Sequence, residues 1–64
     1  MRKFSKAMVA ETIYEKRKAK KLSQAHLSEL TGINRSMIGR AENGEYTPTI
    51  DQLETLAEVL DFEV

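Results

Sequence analysis

The sequence contains no cysteine and no tryptophan, and it has one proline and three glycines in 64 residues. Because cysteine is absent, disulfide bonds and thiolate metal sites are excluded, and the chain must fold around a small core of aliphatic side chains. No apolar run approaches the roughly 18 residues that a membrane helix requires. Lys6, Glu11 and Glu15 interrupt any signal-peptide core near the N-terminus. We therefore expect one soluble, cytoplasmic domain over residues 1–64 that has no membrane partner.

The C-terminal third of the chain contains no basic residue. Residues 1–40 carry all ten Lys and Arg residues and three acids, which gives a charge of +7, whereas residues 41–64 carry seven acids and a charge of −7. This separation can create a basic surface that attracts phosphates although the net charge is zero. Solvated helix faces also produce such charge runs. The charge distribution alone therefore leaves both a nucleic-acid partner and an ordinary surface open.

The spacing of apolar residues predicts four helices, and no segment shows the alternation that is typical of a strand. The first helix is expected over residues 5–20. Ser23 is a suitable N-cap for the second helix, because its hydroxyl can accept a hydrogen bond from the first turn, and Gly32 can end that helix with a positive φ. Asn34 and Gly44 are expected to begin and end the third helix in the same way. The predicted fold class is thus an all-α bundle.

The fourth helix is expected to begin with a capping box formed by Thr49 and Gln52. Its apolar residues form one stripe at helical spacing, which comprises Ile50, Leu53, Leu56, Ala57 and Leu60. In the other helices the predicted core residues are Met8, Val9, Ile13, Ala25, Leu27, Leu30, Ile38 and Ala41, together with Ala19 and the alkyl part of Arg17. These residues describe an amphipathic bundle with a single core.

Three residues, Gly32, Ile33 and Asn34, join the second helix to the third. A short turn that contains glycine forces two helices to cross steeply, and it is typical of the helix-turn-helix unit. We expect this unit over about residues 23–43. Ile33 is the one apolar residue of the turn, and we expect it to be buried between the two helices.

The exposed side of the third helix carries hydrogen-bond donors. Arg35 and Ser36 lie in its first turn, and Gly39 and Arg40 follow one turn later. Arginine can bond to O6 and N7 of guanine, and serine can bond to several base edges in the major groove. Gly39 costs about 1 kcal/mol of helix propensity relative to alanine, which a close approach to DNA would explain. We therefore predict that Arg35, Ser36, Gly39 and Arg40 contact bases.

Between Ile13 and Leu60 the sequence resembles the Cro/CI-type helix-turn-helix proteins, also called the XRE family. The resemblance rests on Arg17, on "LSQAHLSELTGINRSMIGRAENG" at 22–44, on Pro48 and on "LETLAEVL" at 53–60. It implies a small lambda-repressor-like bundle with a helix-turn-helix, built from four helices or from five helices of which the last is truncated. It also implies double-stranded DNA as the partner.

Side-chain amides are the predicted contacts to the DNA backbone. Gln24 and Asn43 lie near helix ends, where amide side chains and backbone N–H groups commonly bind phosphates. The resemblance implies that Gln24 braces a phosphate and often a base-contacting side chain, and that Asn34 and Asn43 contact the sugar-phosphate backbone. It also implies that the base-contacting candidates other than Gly39 occupy base-reading positions. The predicted phosphate contacts are therefore Gln24, Asn34 and Asn43.

The resemblance implies one structural ion pair and shows three departures from the family pattern. Arg17 and Glu42 match a buried or half-buried pair that ties the first helix to the end of the third, and such a pair needs both partners. Relatives usually have a larger polar residue in place of Gly39 and a large apolar residue in place of Ala41. They usually have a glycine in place of Asp61. The first departure can remove one base contact, and the second can alter the packing of the third helix.

Phe62 and Val64 are apolar residues at a point where relatives usually begin a fifth helix that often supports dimerisation. Three interpretations are open for them: part of the core, a surface for a partner, or the cut end of a longer protein. A homodimer is a possible state that depends on this region.

The sequence does not predict an enzyme. No nucleophile, base and orienting acid converge, and His26 is a lone histidine without a second metal ligand, so no cofactor or metal is expected. The leading hypothesis is a sequence-specific transcriptional regulator, a repressor, that reads the major groove with the helix at 35–43 and binds an inverted-repeat operator as a dimer. One alternative is a protein-interaction module of the same fold, an antitoxin or a bridging cofactor, that docks through the acidic residues 42–63. The other is the DNA-binding part of a longer regulator.

Overall fold

The structure is a computed structural model that describes residues 5–63. This part of the chain contains four α-helices and no strand. The helices are α1 (Lys6–Ala19), α2 (Gln24–Thr31), α3 (Arg35–Glu42) and α4 (Ile50–Leu60). The predicted all-α fold with four helices is confirmed. The interpretations offered for Val64, and the basic residues Arg2 and Lys3, lie outside the described residues.

Each helix begins at a side chain that caps its first turn. The N-cap residues are Ser5, Ser23, Asn34 and Thr49, and in every case the side-chain oxygen accepts a hydrogen bond from a backbone N–H of the first turn. These N–H groups have no partner within the helix, so the caps stabilise each start by about 1 kcal/mol. In α4 the Gln52 side chain also accepts the backbone N–H of Thr49 at 3.0 Å, which completes the predicted capping box.

The helices end in left-handed backbone conformations. Gly32 has a φ of +76° after α2, and Gly44 has a φ of +79° after α3. Asp61 has a φ of +67° after α4, which is the conformation that the usual glycine adopts without strain. The last helical residue of α3 is Glu42, one residue earlier than predicted. Asn43 is the C-cap there, because a left-handed glycine stands one position beyond the cap when the chain turns back on the last helical carbonyls.

The core lies between the four helices, since α3 and α4 each pack on both α1 and α2. The buried apolar residues are Val9, Ala10, Ile13, Leu27, Ile33, Ile38, Ala41, Leu53, Leu56 and Leu60. Ile33 is buried in the turn between α2 and α3, as predicted. Fully burying an aliphatic side chain of this size stabilises the fold by about 1.5–3 kcal/mol, so even this small set is the main source of stability.

Five residues that the sequence assigns to the core are exposed in the structure; they are Met8, Ala19, Ala25, Leu30 and Ile50. The prediction is wrong there because the buried stripes are narrow. Leu27 is the one buried residue of the eight-residue helix α2, and Leu30 lies about 60° further around that helix, where it is 50% exposed. Met8 is turned about 100° away from the buried Val9. Ile50 is the first residue of α4 and is 66% exposed.

The loop between α3 and α4 is held by side chains from its own neighbourhood. The Tyr46 hydroxyl donates to Oε1 of Gln52 at 2.8 Å, the same oxygen that accepts the Thr49 N–H, and Pro48 is buried. Phe62 is half-buried and packs against the core, which is the first of the three interpretations given above. Within residues 5–63, no helix is long and apolar enough to cross a bilayer.

Candidate nucleic-acid interface

The turn between α2 and α3 is fixed by hydrogen bonds as well as by the buried Ile33. The Ser28 hydroxyl donates to the carbonyl oxygen of Ile33 at 2.6 Å. The Thr31 hydroxyl donates to the Leu27 carbonyl oxygen at 2.8 Å and accepts the Ile33 N–H at 3.2 Å. Both polar groups of the turn residue are therefore paired inside the unit. This pairing holds α3 in one position relative to α2.

α3 has two chemically different sides. Ile38 and Ala41 are buried in the core. Arg35, Ser36 and Arg40 are exposed, and Gly39 lies between them and is half-buried. The helix spacing brings these four predicted base-contacting residues onto one side, because positions four apart are neighbours on a helix surface. The result is a strip of donors that begins at the helix N-terminus.

The two arginines of this strip form no ion pair with an acid of residues 5–63. Among residues 5–63, one ion pair occurs, and it joins Arg17 to Glu42. Arg35 and Arg40 therefore retain the donors of their guanidinium groups, which can form a bidentate pair with a phosphate or with the edge of a guanine. At the start of the helix, Oδ1 of Asn34 accepts the N–H of Ser36 at 2.8 Å, so this oxygen serves as the cap.

The ion pair that the family resemblance implies is present. Arg17 is buried, its Nε donates to Oε2 of Glu42 at 2.7 Å, and its Nη2 donates to Oε1 at 3.0 Å. Nη1 donates to the carbonyl oxygen of Leu22 at 2.8 Å, just before α2 begins. The hydrogen bond to Glu42 raises the pKa of Arg17 although burial acts in the opposite direction. The guanidinium also lies 5.5 Å from the centre of the Tyr14 ring, a cation–π distance.

Gln24 is tied to this pair, which the sequence did not predict. Its Nε2 donates to Oε1 of Glu42 at 3.0 Å, and its side chain is half-buried. The amide extends over Gly39, so that a Cβ added to Gly39 would lie 3.6 Å from Oε1 of Gln24. That distance is an ordinary van der Waals contact. Contact within the chain therefore does not require glycine at this position, and an approach to DNA stays the predicted reason for it.

Asn43 lies at the opposite end of α3 from the base-contacting candidates in the first turn. It is exposed at the C-cap position and lines a shallow groove of about 480 Å³ between α1 and the end of α3. Lys6 and Tyr14 line the α1 side of this groove. The two predicted phosphate contacts Asn34 and Asn43 thus flank α3 at its two ends, and Gln24 lies across its middle. His26 is exposed, and no metal-binding group of acids and histidine occurs within residues 5–63.

α3 is a short helix that a three-residue turn joins to α2. It is buried on one side and carries hydrogen-bond donors on the other, and these features define a helix-turn-helix protein. The comparison with protein families agrees, because the family model HTH_3, described as helix-turn-helix, matches residues 13–64. The chain belongs to this family. The predicted relation to the XRE family is thereby confirmed, and with it the class of DNA-binding transcription regulators.

Two solved structures are similar to this chain over most of its length. One is the restriction-modification controller protein C.AhdI from Aeromonas hydrophila, with 34% identity, a TM-score of 0.83, and coverage of 91% of this chain and 88% of that one. The other is an HTH_3 family transcriptional regulator from Vibrio cholerae, also with 34% identity and a TM-score of 0.83. The similarity covers 91% of this chain but 33% of the Vibrio protein. No curated protein sequence gave a significant match.

Proposed function

We propose that this protein is a sequence-specific repressor that places α3 in the major groove of double-stranded DNA. The observation that carries the proposal is the strip formed by the exposed Arg35, Ser36 and Arg40 and the half-buried Gly39, on a helix whose opposite side is buried. Because the core and the turn fix the helix, its donors are presented to a partner without a conformational change. The 34% sequence identity to a transcriptional regulator and to a restriction-modification controller protein supports a role in the regulation of transcription.

In this proposal each residue of the strip has its own role. Arg35 and Arg40 bond to O6 and N7 of guanines, and the Ser36 hydroxyl bonds to a base edge or a phosphate. Gly39 lets the helix approach the groove closely. The side-chain amides of Gln24, Asn34 and Asn43 bind phosphates on either side of the groove and fix the register of the helix.

The charge distribution supports one orientation on DNA. The basic residues of the described chain lie in α1, in the turn that follows it and in α3, whereas α4 carries Asp51, Glu54 and Glu58, all exposed. Phosphates attract the α3 side and repel the α4 side, so the protein meets DNA with α3 forward. We propose further that two copies bind the half-sites of an inverted repeat about one helical turn apart, and that repression results from occlusion of a promoter in the cytoplasm. The role involves no catalysis.

A selection of bound duplexes from a random library, at about physiological salt, tests this function. We expect an enriched inverted repeat that contains guanines at a fixed spacing. The double variant Arg35→Ala/Arg40→Ala is the control and should lose the enrichment while its circular dichroism spectrum is unchanged. Enrichment of a single half-site would contradict the dimer but keep the reading of bases. No enrichment by a folded sample would overturn the proposed function.

The repressor role has a separate test. The selected site, placed across the promoter of a reporter gene, should lower expression when the protein is present. The same site placed well upstream should have no such effect, because occlusion depends on overlap with the promoter. A rise in expression from either position would contradict repression and indicate an activator.

One specific observation supports each of the two alternative functions. The exposed acids of α4 could dock a basic protein partner, such as a toxin or a transcription factor that this chain bridges. Binding of DNA should be lost in Arg35→Ala/Arg40→Ala, whereas docking through the α4 acids should persist in that variant and be lost when Asp51, Glu54 and Glu58 are replaced by their amides. The 33% coverage of the Vibrio regulator also shows that a domain of this kind occurs within a longer chain, so the protein could be one part of such a regulator.

A further inference from the structure

We propose that Glu42 is a positioning residue for DNA binding, because its buried carboxylate fixes the orientation of the Gln24 amide on the surface that faces DNA. The resemblance assigns Glu42 a purely structural role in the pair with Arg17. We assign Glu42 a second role in DNA binding, and this role rests on the proposed function of α3.

The carboxylate of Glu42 is shared between the two partners. Oε2 accepts one hydrogen bond from Arg17 at 2.7 Å, and Oε1 accepts one from Arg17 and one from Gln24, each at 3.0 Å. The side chain of Glu42 is 4% exposed, so water does not compete for these bonds. Hydrogen bonds to an ionised acceptor are about twice as strong as those between neutral groups. Gln24 is therefore held more firmly than an ordinary surface glutamine.

The charge of Glu42 also decides which way the amide points. A side-chain amide has a donor end and an acceptor end, whereas a carboxylate only accepts. The Nε2 end of Gln24 must therefore face Glu42, since the flipped amide would place its oxygen against a carboxylate oxygen. In this orientation the whole amide lies over Gly39, with Oε1 and Nε2 at 3.6 and 3.8 Å from a Cβ built there. One Nε2–H is bonded to Glu42, and the second donor and the oxygen have no hydrogen-bond partner among residues 5–63, so both are available to DNA.

The restraint reaches the DNA-facing surface from α1. Arg17 holds Glu42 by two hydrogen bonds and also holds the Leu22 carbonyl oxygen before α2. A free glutamine side chain would lose rotamer freedom when it binds DNA, and this loss weakens binding. In this arrangement much of that freedom is already lost in the free protein. The ion pair thus reduces the loss of freedom that accompanies the Gln24 contact.

The experiment is a double-mutant cycle on the affinity for the selected duplex, at a temperature where every variant is folded by circular dichroism. Arg17→Met/Glu42→Met removes the carboxylate without leaving a buried charge, because both partners are replaced by apolar residues. We expect this double substitution to weaken binding about tenfold in the presence of Gln24 and less than about twofold when combined with Gln24→Ala. An equal loss in both backgrounds would overturn the inference.

Two controls separate positioning from a general loosening of α3. In a parallel cycle, Ser36→Ala replaces Gln24→Ala, and the effects should add, because Glu42 is hydrogen-bonded to Arg17 and Gln24 and not to Ser36. Coupling of the same size with Ser36 would contradict the inference. Glu45→Gln removes one negative charge at an exposed residue beyond the same end of α3. It should change the affinity for the duplex by much less than tenfold.

A measurement without DNA tests the restraint itself. The chain contains two glutamines, Gln24 and Gln52, and NMR can follow the side-chain amide protons of each. Gln52 uses its oxygen in the capping box, whereas Gln24 uses its nitrogen on Glu42. We expect exchange with water about tenfold slower for Gln24 than for Gln52, and equal rates in Arg17→Met/Glu42→Met. Equal rates in the native chain would overturn the inference. Slow exchange in a native chain that binds no duplex would instead overturn the proposed function, and with it the DNA role of Gln24.

Discussion

The hydroxyl oxygen of Ser28 lies 2.6 Å from the carbonyl oxygen of Ile33, so a side chain inside α2 is bonded to the backbone of the turn that follows it. The turn residue is buried, and its carbonyl would otherwise lack a partner away from water. The position of α3, and with it every predicted contact to DNA, depends on this turn.

Replacement of this serine should therefore lower stability. Ser28→Ala leaves the Ile33 carbonyl oxygen without its donor, and we expect the free energy of unfolding to fall by about 1–3 kcal/mol. Urea denaturation followed by circular dichroism measures it. Glu29→Ala, at the neighbouring exposed position of α2, is the control and should change stability by less than about 0.5 kcal/mol. A similar small effect for Ser28→Ala would show that the bond is dispensable.

Loss of one partner of the buried ion pair should be worse than loss of both. Glu42→Ala leaves the Arg17 charge buried without compensation and should cost about 3–5 kcal/mol, which is enough to unfold a domain of this size. Arg17→Met/Glu42→Met replaces the pair by apolar side chains and should be close to neutral in stability. Chemical denaturation of both variants gives the comparison. If the double variant were the less stable, the pair would be a net source of stability.

Arg40→Ala and Gln24→Ala should differ in what they do to recognition. Arg40→Ala should cost about 1–3 kcal/mol of binding free energy for the selected duplex and relax base preference at one position. Gln24→Ala should weaken all duplexes by a similar factor, because a phosphate contact carries no sequence information. Affinities for a panel of single-base variants of the site measure both effects. Lys20→Ala removes an exposed positive charge outside α3 and should leave the preference for DNA bases unchanged. Uniform weakening by Arg40→Ala would refute its role in reading bases.

Gly39→Ala should raise stability and lower DNA affinity. The added Cβ meets the Gln24 side chain at 3.6 Å, an ordinary contact, and alanine is favoured over glycine in a helix by about 1 kcal/mol. The same methyl group occupies the space through which α3 is proposed to approach the groove. Thermal unfolding and duplex titration measure the two effects. Gly32→Ala is the contrasting change, because a φ of +76° strains any residue with a side chain, and it should destabilise. Undiminished affinity in Gly39→Ala would remove the close-approach explanation.

Local hydrogen bonds explain which parts of the fold were predictable from the sequence. The caps at Ser23, Asn34 and Thr49 involve residues two or three apart, so their spacing reveals them directly. Burial in α2 and at the start of α4 was not predictable in the same way. Whether Leu30 or Ile50 reaches the core depends on which side of the helix meets its neighbours, and the apolar pattern does not define that within the two turns of α2 or at the first residue of α4.

The candidate site shows the same division. The strip on α3 follows from helical periodicity together with a short turn, and the Arg17–Glu42 pair was recognisable by resemblance. The bond from Gln24 to Glu42 joins residues 18 positions apart, on two different helices. A single sequence contains no spacing rule for such a contact. A glutamine opposite an unusual helical glycine is the one feature that could have suggested it.

The buried side of α3 consists of Ile38 and Ala41, and the exposed Arg35, Ser36 and Arg40 add nothing to it. Under the proposed function, selection for folding and selection for a target therefore act on different positions of this eight-residue helix, with Glu42 as the exception. A gene duplicate of such a protein can acquire a new operator through a few exposed substitutions while every intermediate stays folded. For an engineer, the same separation makes α3 a short cassette in which new DNA specificities can be sampled without redesign of the core.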